Sequence, residues 1–213
     1  MKHDSIIAQE GYPFILFSLI IAVFIAFLGI CWLLILSVLI SLFIIWFFRN
    51  PERYFREGEN VVISPADGKV IKVEDIDMNG MITGKFKKIS IFMNVFNVHV
   101  NRIPYSGKIE AINYHEGKFV SANLDKASSD NERNAIHIRT ENGSSIWAVQ
   151  IAGLIARRIV CWVKVGDAVK KGERFGLIRF GSRVDVYLPQ DSRIAVQVGQ
   201  KVSAGETLLG YLQ

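Results

Sequence analysis

The dipeptide Gly-Ser occurs twice in the sequence, at Gly143-Ser144 and at Gly181-Ser182. A serine hydroxyl aimed at the carbonyl of the preceding residue can attack that carbon and convert the peptide bond into an ester. Glycine suits the upstream position because it tolerates strained backbone and leaves its carbonyl open. Removal of the serine α-proton then eliminates the ester and leaves dehydroalanine, which hydrolyses to a pyruvoyl group with loss of ammonia. Strand-like residues on both sides of Gly181-Ser182 predict that this copy lies at a turn.

The ketone of a pyruvoyl group can form a Schiff base with an amine and act as an electron sink, as pyridoxal phosphate does. Gly-Ser alone does not establish this chemistry, because a turn needs no reactive group. Acid and base groups must accompany it. His99, in Asn-Val-His-Val-Asn, is either a general acid or base or an ordinary strand histidine. Asp67, in Ser-Pro-Ala-Asp-Gly-Lys, either assists that chemistry or shapes a turn.

A long uncharged run divides the charged residues of the chain into a short group before it and a large group after it. The protein has 213 residues, a formal net charge of +5 and a mean hydropathy of +0.27, yet no charged residue occurs between Glu10 and Arg49. This distribution excludes an ordinary cytosolic globule, a disordered chain and a protein embedded in the membrane throughout. A modestly basic domain attached to an apolar segment suits an anionic membrane surface or an anionic lipid, and no nucleic-acid motif is present.

The uncharged run is longer than the about 20 residues that one membrane-spanning helix needs. It is just long enough for two short spans, and Gly29 lies near its middle. We therefore predict a helical hairpin over roughly 12–29 and 32–48, with both ends on one side of the membrane. A single tilted helix is the alternative.

Three arginines follow this run at once: Arg49, Arg53 and Arg56. Positive residues next to a membrane span favour the cytoplasmic side, so we expect the remainder of the chain at the cytoplasmic face of the cell membrane. Residues 1–48 are the predicted membrane anchor, and residues 49–213 are the predicted catalytic domain.

From Val61 onward, short runs rich in valine and isoleucine alternate with turn residues. This spacing predicts a mainly β domain, barrel-like or sandwich-like, with a few short helices. One helix is expected around residues 152–159. The predicted strands lie in the segments 61–73, 88–96, 134–140, 145–151 and 183–188.

The pattern V-x-V-G-x-x-V-x-x-G-E occurs twice, at 163–173 and at 196–206. It resembles the structural turns of biotinyl and lipoyl carrier domains. The hairpin that presents the modified lysine of those carriers is absent, so the repeat predicts a fold rather than a swinging arm. Cys31 and Cys161 are predicted to be reduced, packed thiols, and no metal-ligand spacing is present.

Longer segments of the chain resemble the short form of the phosphatidylserine decarboxylase proenzymes. Their order and spacing carry the resemblance, which covers well over half of residues 11–189. The matching segments are GYPFI, FFRNPER, SPADGKV, NVFNVHVNRIPYSGKI, YHEGKF, DKASSDNERN and, the longest, QIAGLIARRIVCWVKVGDAVKKGERFGLIRFGSRVDVYLP.

This resemblance implies self-cleavage between Gly181 and Ser182. It implies a β chain of residues 1–181, an α chain of residues 182–213, and conversion of Ser182 into a covalent pyruvoyl group. The enzyme would convert phosphatidylserine into phosphatidylethanolamine and carbon dioxide without pyridoxal phosphate. Its implied partners are the phospholipid, the membrane and its own two chains. A homo-oligomer is left open, and nucleic acid is not expected.

The resemblance also implies roles for Asp67 and His99. Longer family members carry an aspartate in the segment of Asp67, where it assists a histidine and the serine during self-cleavage. They also carry two histidines before a proline, and only the first of these aligns here, with His99; the second falls on Arg102. Either His99 performs both tasks or another residue, such as His115, performs one.

Two other functions remain open at this point. One is decarboxylation of a different serine-headed lipid, such as archaetidylserine, which shares the head group. The other is a membrane-tethered β-barrel adaptor without enzymatic activity, in which Ser182 would stay unmodified.

Overall fold

The computed structural model describes residues 5–54, 58, 60–79, 82–117, 131–153, 158–179 and 182–213. The chain divides into two compact units, one extending to Glu52 and the other from Arg53 to Gln213. The first unit is helical and the second is built from β-strands.

Two apolar helices, α1 (Tyr12–Phe27) and α2 (Cys31–Phe47), form the first unit. Gly29 has a φ of 69° in the turn between them, a conformation that glycine adopts without strain. The ring of Phe14 at the start of α1 stacks on Phe48 just after α2, with centroids 5.6 Å apart. The helices are therefore antiparallel, and the predicted pair of helices is confirmed with bounds that differ by one or two residues, while its crossing of a membrane stays a prediction.

The surface of this hairpin is almost entirely apolar. The helical stretch Gln9–Phe27 has a mean hydropathy of 2.1 and is long enough to cross a membrane, whereas α2 is shorter. Ser18, Ser37 and Ser41 are buried, and their hydroxyls donate hydrogen bonds to carbonyls of their own helices. Small, internally satisfied side chains of this kind let apolar helices pack closely.

Among the residues that the structure describes, fourteen strands form the second unit. Their bounds are β1 (Val61–Ile63), β2 (Gly68–Met78), β3 (Gly84–Met93), β4 (Val100–Arg102), β5 (Gly107–His115), β6 (Arg133–Arg139), β7 (Ser145–Ala152), β8 (Ile159–Cys161), β9 (Ala168–Val169), β10 (Arg174–Ile178), β11 (Ser182–Pro189), β12 (Arg193–Ile194), β13 (Lys201–Val202) and β14 (Leu208–Tyr211). The mainly β fold is confirmed. The helix expected around 152–159 has its middle, residues 154–157, outside the described residues, and its ends belong to β7 and β8.

The strand order shows an internal duplication. Two three-stranded sheets have the orders β1-β14-β12 and β4-β10-β8, and the third sheet has the order β13-β2-β3-β11-β7-β6-β5-β9. Strands β1, β2 and β3 correspond in order to β4, β5 and β6, and strands β11 to β14 correspond in order to β7 to β10. When each strand is replaced by its counterpart, one small sheet becomes the other, and the order of the large sheet is read backwards. The domain thus has two equivalent halves. We call the contiguous half, β4–β10, the inserted half, and we call β1–β3 with β11–β14 the outer half.

The sequence repeat marks corresponding places in these halves. Its two copies contribute β9 and β13, which are the two edge strands of the large sheet. In one copy Gly166 donates its N–H to the carbonyl of Ile109, and in the other Gly199 donates to Val70, both at 2.8 Å. The repeat is therefore a pair of matching structural turns, as predicted.

The halves also cross-link each other symmetrically near the middle of the domain. Ile63 donates its backbone N–H to the carbonyl of Pro104, and Arg102 donates to Pro65, at 3.0 and 2.9 Å. Pro65 and Pro104 occupy equivalent places, each a few residues before the glycine that starts a long strand. The large sheet curls around a core of aliphatic side chains drawn from both halves.

The helical unit generates the first prediction. A chain lacking residues 1–48 should leave the membrane fraction, because the exposed apolar surface of α1 and α2 is removed. Membrane fractions are washed at alkaline pH, and the truncated and full chains are quantified in parallel. Tight retention of the truncated chain would mean that the hairpin is not the main anchor.

Candidate active site

Ser182 is the first residue of β11, the fourth of the eight strands in the large sheet. It pairs with Met93 of β3 on one side and with Ala152 of β7 on the other. Its side chain is fully buried, and its Oγ donates to the sulfur of Met93 at 3.4 Å. Ser182 is thus a strand residue rather than part of a turn. Gly181, the other half of the predicted cleavage site, lies outside the described residues.

His99 is buried immediately before β4. Its Nδ1 lies 3.0 Å from the carbonyl oxygen of Asn97, and a neutral ring that donates from Nδ1 carries its lone pair on Nε2. Its backbone carbonyl accepts a hydrogen bond from Ile178, the last residue of β10, at 3.3 Å. His99 is therefore held against the segment that leads into residue 182.

Asp67 is almost fully buried and is engaged through both carboxylate oxygens. Oδ1 accepts the backbone N–H of Ala204 at 2.7 Å, and Oδ2 accepts Nη2 of Arg53 at 3.1 Å. Arg53 also binds Glu206 at 2.7 Å. In the described residues the carboxylate contacts these groups and not His99. Part of its role is thus the turn role that the sequence left open.

The duplication relates this site to a second place in the domain. Ser144 lies just before β7, and Ser182 is the first residue of β11. The carbonyl of Ser144 accepts the N–H of Thr140 in its hairpin at the register at which Ser182 pairs with Met93. Ser106 caps the backbone N–H of Lys171 at 2.9 Å, as Asp67 caps that of Ala204. The equivalent pairs are Ser182 and Ser144, Met93 and Thr140, His99 and Asn60, and Asp67 and Ser106.

The second place is a cavity of ≈ 340 Å³. Asn60, Ser106 and Thr140 all line it. Since these three residues share one cavity, the duplication supports a common site for their equivalents, one of which contacts Ser182 directly. His99, Asp67 and Met93 are those equivalents.

The two Gly-Ser copies differ in how the chain reaches them. In the inserted half, residues 140–144 form a tight hairpin between β6 and β7, and Ser144 is half-buried. In the outer half the corresponding hairpin is open, because β3 continues into the inserted half and β10 returns to β11. Ser182 is consequently fully buried, where solvent does not compete for its hydroxyl.

The other polar candidates have structural contacts. Arg102 is buried and donates to the carbonyl of Gly172 at 2.8 Å. His115 lies three strands from β11, about 14 Å away at the usual strand spacing, so it does not reach Ser182. His137 stacks on Trp147, and burial lowers its pKa. Burial raises the pKa of Cys161, as expected for a packed thiol.

Sequence reasoning missed Met93 and the buried amides of Asn101 and Gln150, which lie beside it. Gln150 had a visible signal, since it is a polar residue within the otherwise apolar strand Ser145–Ala152. Met93 had none, because a methionine at the end of an apolar strand is ordinary core composition.

A fully buried serine at the start of a strand that is paired on both sides is the arrangement expected in the class of enzymes made as self-processing proenzymes. The family model described as phosphatidylserine decarboxylase matches residues 40–210. A phosphatidylserine decarboxylase proenzyme of Syntrophus aciditrophicus is 58% identical over 211 residues, 99% of each chain. That of Desulfotalea psychrophila is 49% identical over 206 residues, 97% of this chain and 96% of its own.

The chain belongs to the phosphatidylserine decarboxylase family. A more distant relative, the proenzyme of Magnetococcus marinus, is 44% identical over 216 residues and still covers all of this chain and 98% of its own. The predicted family and the predicted decarboxylase are therefore confirmed, and the adaptor without activity is excluded.

The duplication supplies a sharp test of His99. We expect His99→Asn, which introduces the residue present at the equivalent place, to slow self-cleavage or turnover by about 100- to 10,000-fold, the usual contribution of a general acid or base. Precursor decay is followed on denaturing gels, and carbon dioxide release is measured on processed protein. Unchanged rates for both steps would remove His99 from the site.

A parallel substitution separates the two roles of Asp67. Asp67→Ser retains an oxygen that can cap Ala204, as Ser106 does for Lys171, but removes the negative charge. We expect a folded chain that processes slowly. Processing at the rate of the unaltered chain would show that Asp67 only shapes the turn.

Proposed function

We propose that this chain cleaves itself between Gly181 and Ser182, and that the two resulting chains together convert phosphatidylserine into phosphatidylethanolamine and carbon dioxide. The observation that carries the proposal is the fully buried Ser182 at the open end of a strand held between β3 and β7. Family membership supplies the substrate class.

The proposed cleavage needs one water and no external oxidant. Oγ of Ser182 attacks the carbonyl carbon of Gly181, the C–N bond breaks, and the serine proton passes to the released nitrogen. A base then removes the α-proton of residue 182, and the Cβ–Oγ bond breaks with departure of the Gly181 carboxylate. The resulting dehydroalanine takes up a proton at Cβ, which becomes a methyl group as the N-terminal amine becomes an imine. Water adds to the imine carbon, ammonia leaves, and a pyruvoyl group remains at the head of the α chain.

His99 is the group we assign to proton transfer in these steps. It is buried, its Nδ1 is fixed by the carbonyl of Asn97, and its backbone is bonded to the end of β10. A ring that donates from Nδ1 carries its basic lone pair on Nε2, and we assign the proton transfer to that nitrogen. We assign Asp67 an assisting role in these steps, as an almost fully buried carboxylate in the turn before β2.

The surroundings of residue 182 fit a pyruvoyl group. The residue is enclosed between two strands, and a group without the hydroxyl is no larger than the serine it replaces. A pyruvoyl group supplies a ketone that condenses with the amine of the serine head group and takes up the electron pair released as carbon dioxide leaves. Pyridoxal phosphate is not required for this.

The cleaved chains have a physical reason to stay together. After the cut, β11 remains hydrogen bonded to β3 and β7, and β14 remains bonded to β1. A buried ion pair reinforces this, since Asp185 of the α chain contacts Lys88 of the β chain at 3.5 Å. We therefore propose that residues 1–181 and 182–213 function as one complex.

The anchor is consistent with a substrate and a product that both stay in the bilayer. We propose that the hairpin inserts in the cell membrane and that Arg49, which lies over the ring of Trp46, marks the cytoplasmic side. A homo-oligomer stays a prediction.

Ser182→Ala should leave the chain whole and inactive, because the attacking oxygen is gone. Intact mass analysis distinguishes one chain of 213 residues from two fragments and detects a pyruvoyl group at residue 182. Ser144→Ala is the matched control: it alters the equivalent dipeptide and should process normally.

Two results would contradict the proposal. One is a processed Ser182→Ala chain, and the other is unaltered protein that stays intact with an ordinary serine at residue 182. Fragments ending at Gly143 would instead assign the cleavage to the other dipeptide.

A further inference from the structure

A chain of three buried amides runs through the core toward the reactive serine. Nδ2 of Asn134 donates to Oε1 of Gln150 at 3.0 Å, and Nε2 of Gln150 donates to Oδ1 of Asn101 at 2.9 Å. Nδ2 of Asn101 then lies 3.8 Å from the sulfur of Met93, the same sulfur that accepts the hydroxyl of Ser182. All three amides are at most 2% exposed. We call these residues the amide chain.

The amide chain has a fixed direction. The oxygen of Asn101 accepts a hydrogen bond from Gln150, so its NH₂ group must face the other way, toward Met93 and the carbonyl of Pro65 at 3.4 Å. The oxygen of Gln150 is fixed in the same manner by Asn134. The chain therefore presents a donor, and not an acceptor, to the Met93 sulfur.

The fold itself does not require these amides. At the equivalent places of the outer half, Val62 stands for Asn101 and Leu188 for Gln150, and both are fully buried. Buried polar groups cost free energy that aliphatic side chains avoid. The amide chain is present only in the inserted half, and its last member, Asn101, contacts Met93. This points to a role at Ser182 rather than in folding.

We propose that Met93 and the amide chain are positioning residues for residue 182. Asn101 holds the Met93 sulfur, and the sulfur orients the Ser182 hydroxyl before cleavage. The inference rests on the proposed function, since it assumes that Ser182 is the reacting residue.

A thioether suits both states of residue 182. Sulfur is a weak acceptor, so it orients the hydroxyl without retaining its proton. After cleavage the CH₂OH group of the serine has become a methyl group, which packs favourably against the same apolar thioether. A strong acceptor at this place would be left unsatisfied once the hydroxyl had gone.

Two variants test the proposal. Their new side chains either occur at the equivalent places of the outer half or have nearly the same volume as the residue replaced. Asn101→Val with Gln150→Leu replaces two amides by the side chains of the outer half, and Met93→Leu removes the sulfur at nearly constant volume. We expect each to slow self-cleavage about 10- to 100-fold, the cost of misplacing a reacting group. The readouts are precursor decay and hydroxylamine trapping of the ester, neither of which needs the mature enzyme.

The combined variant tests whether the amides act through the sulfur. If they do, the triple variant cleaves no more slowly than the slower of its two parents, because the link is already broken. Rates that multiply would overturn the proposed path through Met93. Unchanged rates in both parents would overturn the positioning role altogether.

Controls separate these outcomes from misfolding and from failure of the proposed function. Thr140→Val alters the residue equivalent to Met93 and should cleave at the unaltered rate. Thermal unfolding shows whether each variant keeps its fold, and a slowed chain with an unchanged midpoint supports positioning. If the slowing tracks lost stability, the role is structural and the proposal is wrong. If the unaltered chain itself does not cleave, the proposed function is wrong, and the positioning role of Met93 and the amide chain is wrong with it.

Discussion

The site depends on the pairing of β11 with β3 and β7, which encloses residue 182 from both sides. A bond that is to break inside a folded protein must leave its new ends where they were. Strand β11 meets this constraint, because the proposed cut in front of Ser182 breaks none of its ladder hydrogen bonds with β3 and β7. The same pairing removes the serine from water, so that its hydroxyl is oriented by protein groups alone.

The internal duplication explains why one of two identical dipeptides is suited to this chemistry. A closed hairpin of the inserted half places Gly143-Ser144 at a partly exposed turn. In the outer half the chain leaves at Met93 and returns at Ser182, and the whole inserted half lies between. The ends of an opened hairpin are held by strands rather than by a turn. Strands held in this way stay in place when the chain is cut between them. In a closed hairpin, by contrast, the turn is the only covalent link between the two strands.

Local patterns predicted the elements, and long-range pairing decided the site. The two apolar helices, most of the strand segments and the repeated turns follow from composition and periodicity, whereas the ends of the helix expected around 152–159 belong to strands. The placement of Ser182 within a strand, the contacts of Asp67 with Arg53 and Ala204, and the proximity of Met93 depend on pairing between distant segments. Met93 and Ser182 are 89 positions apart, so no short pattern relates them.

Differences between the two equivalent places indicate where the proposed reaction occurs more clearly than any single residue does. The residues equivalent to His99 and Asp67 are Asn60 and Ser106, neither of which titrates near neutral pH. The backbone geometry is shared, and Ser106 performs the same capping bond as Asp67. What the place around Ser182 adds is therefore an imidazole, from the inserted half, and a carboxylate, from the outer half. Because the scaffold is common to both places, the equivalent place around Ser144 serves as an internal reference against which each added group can be judged.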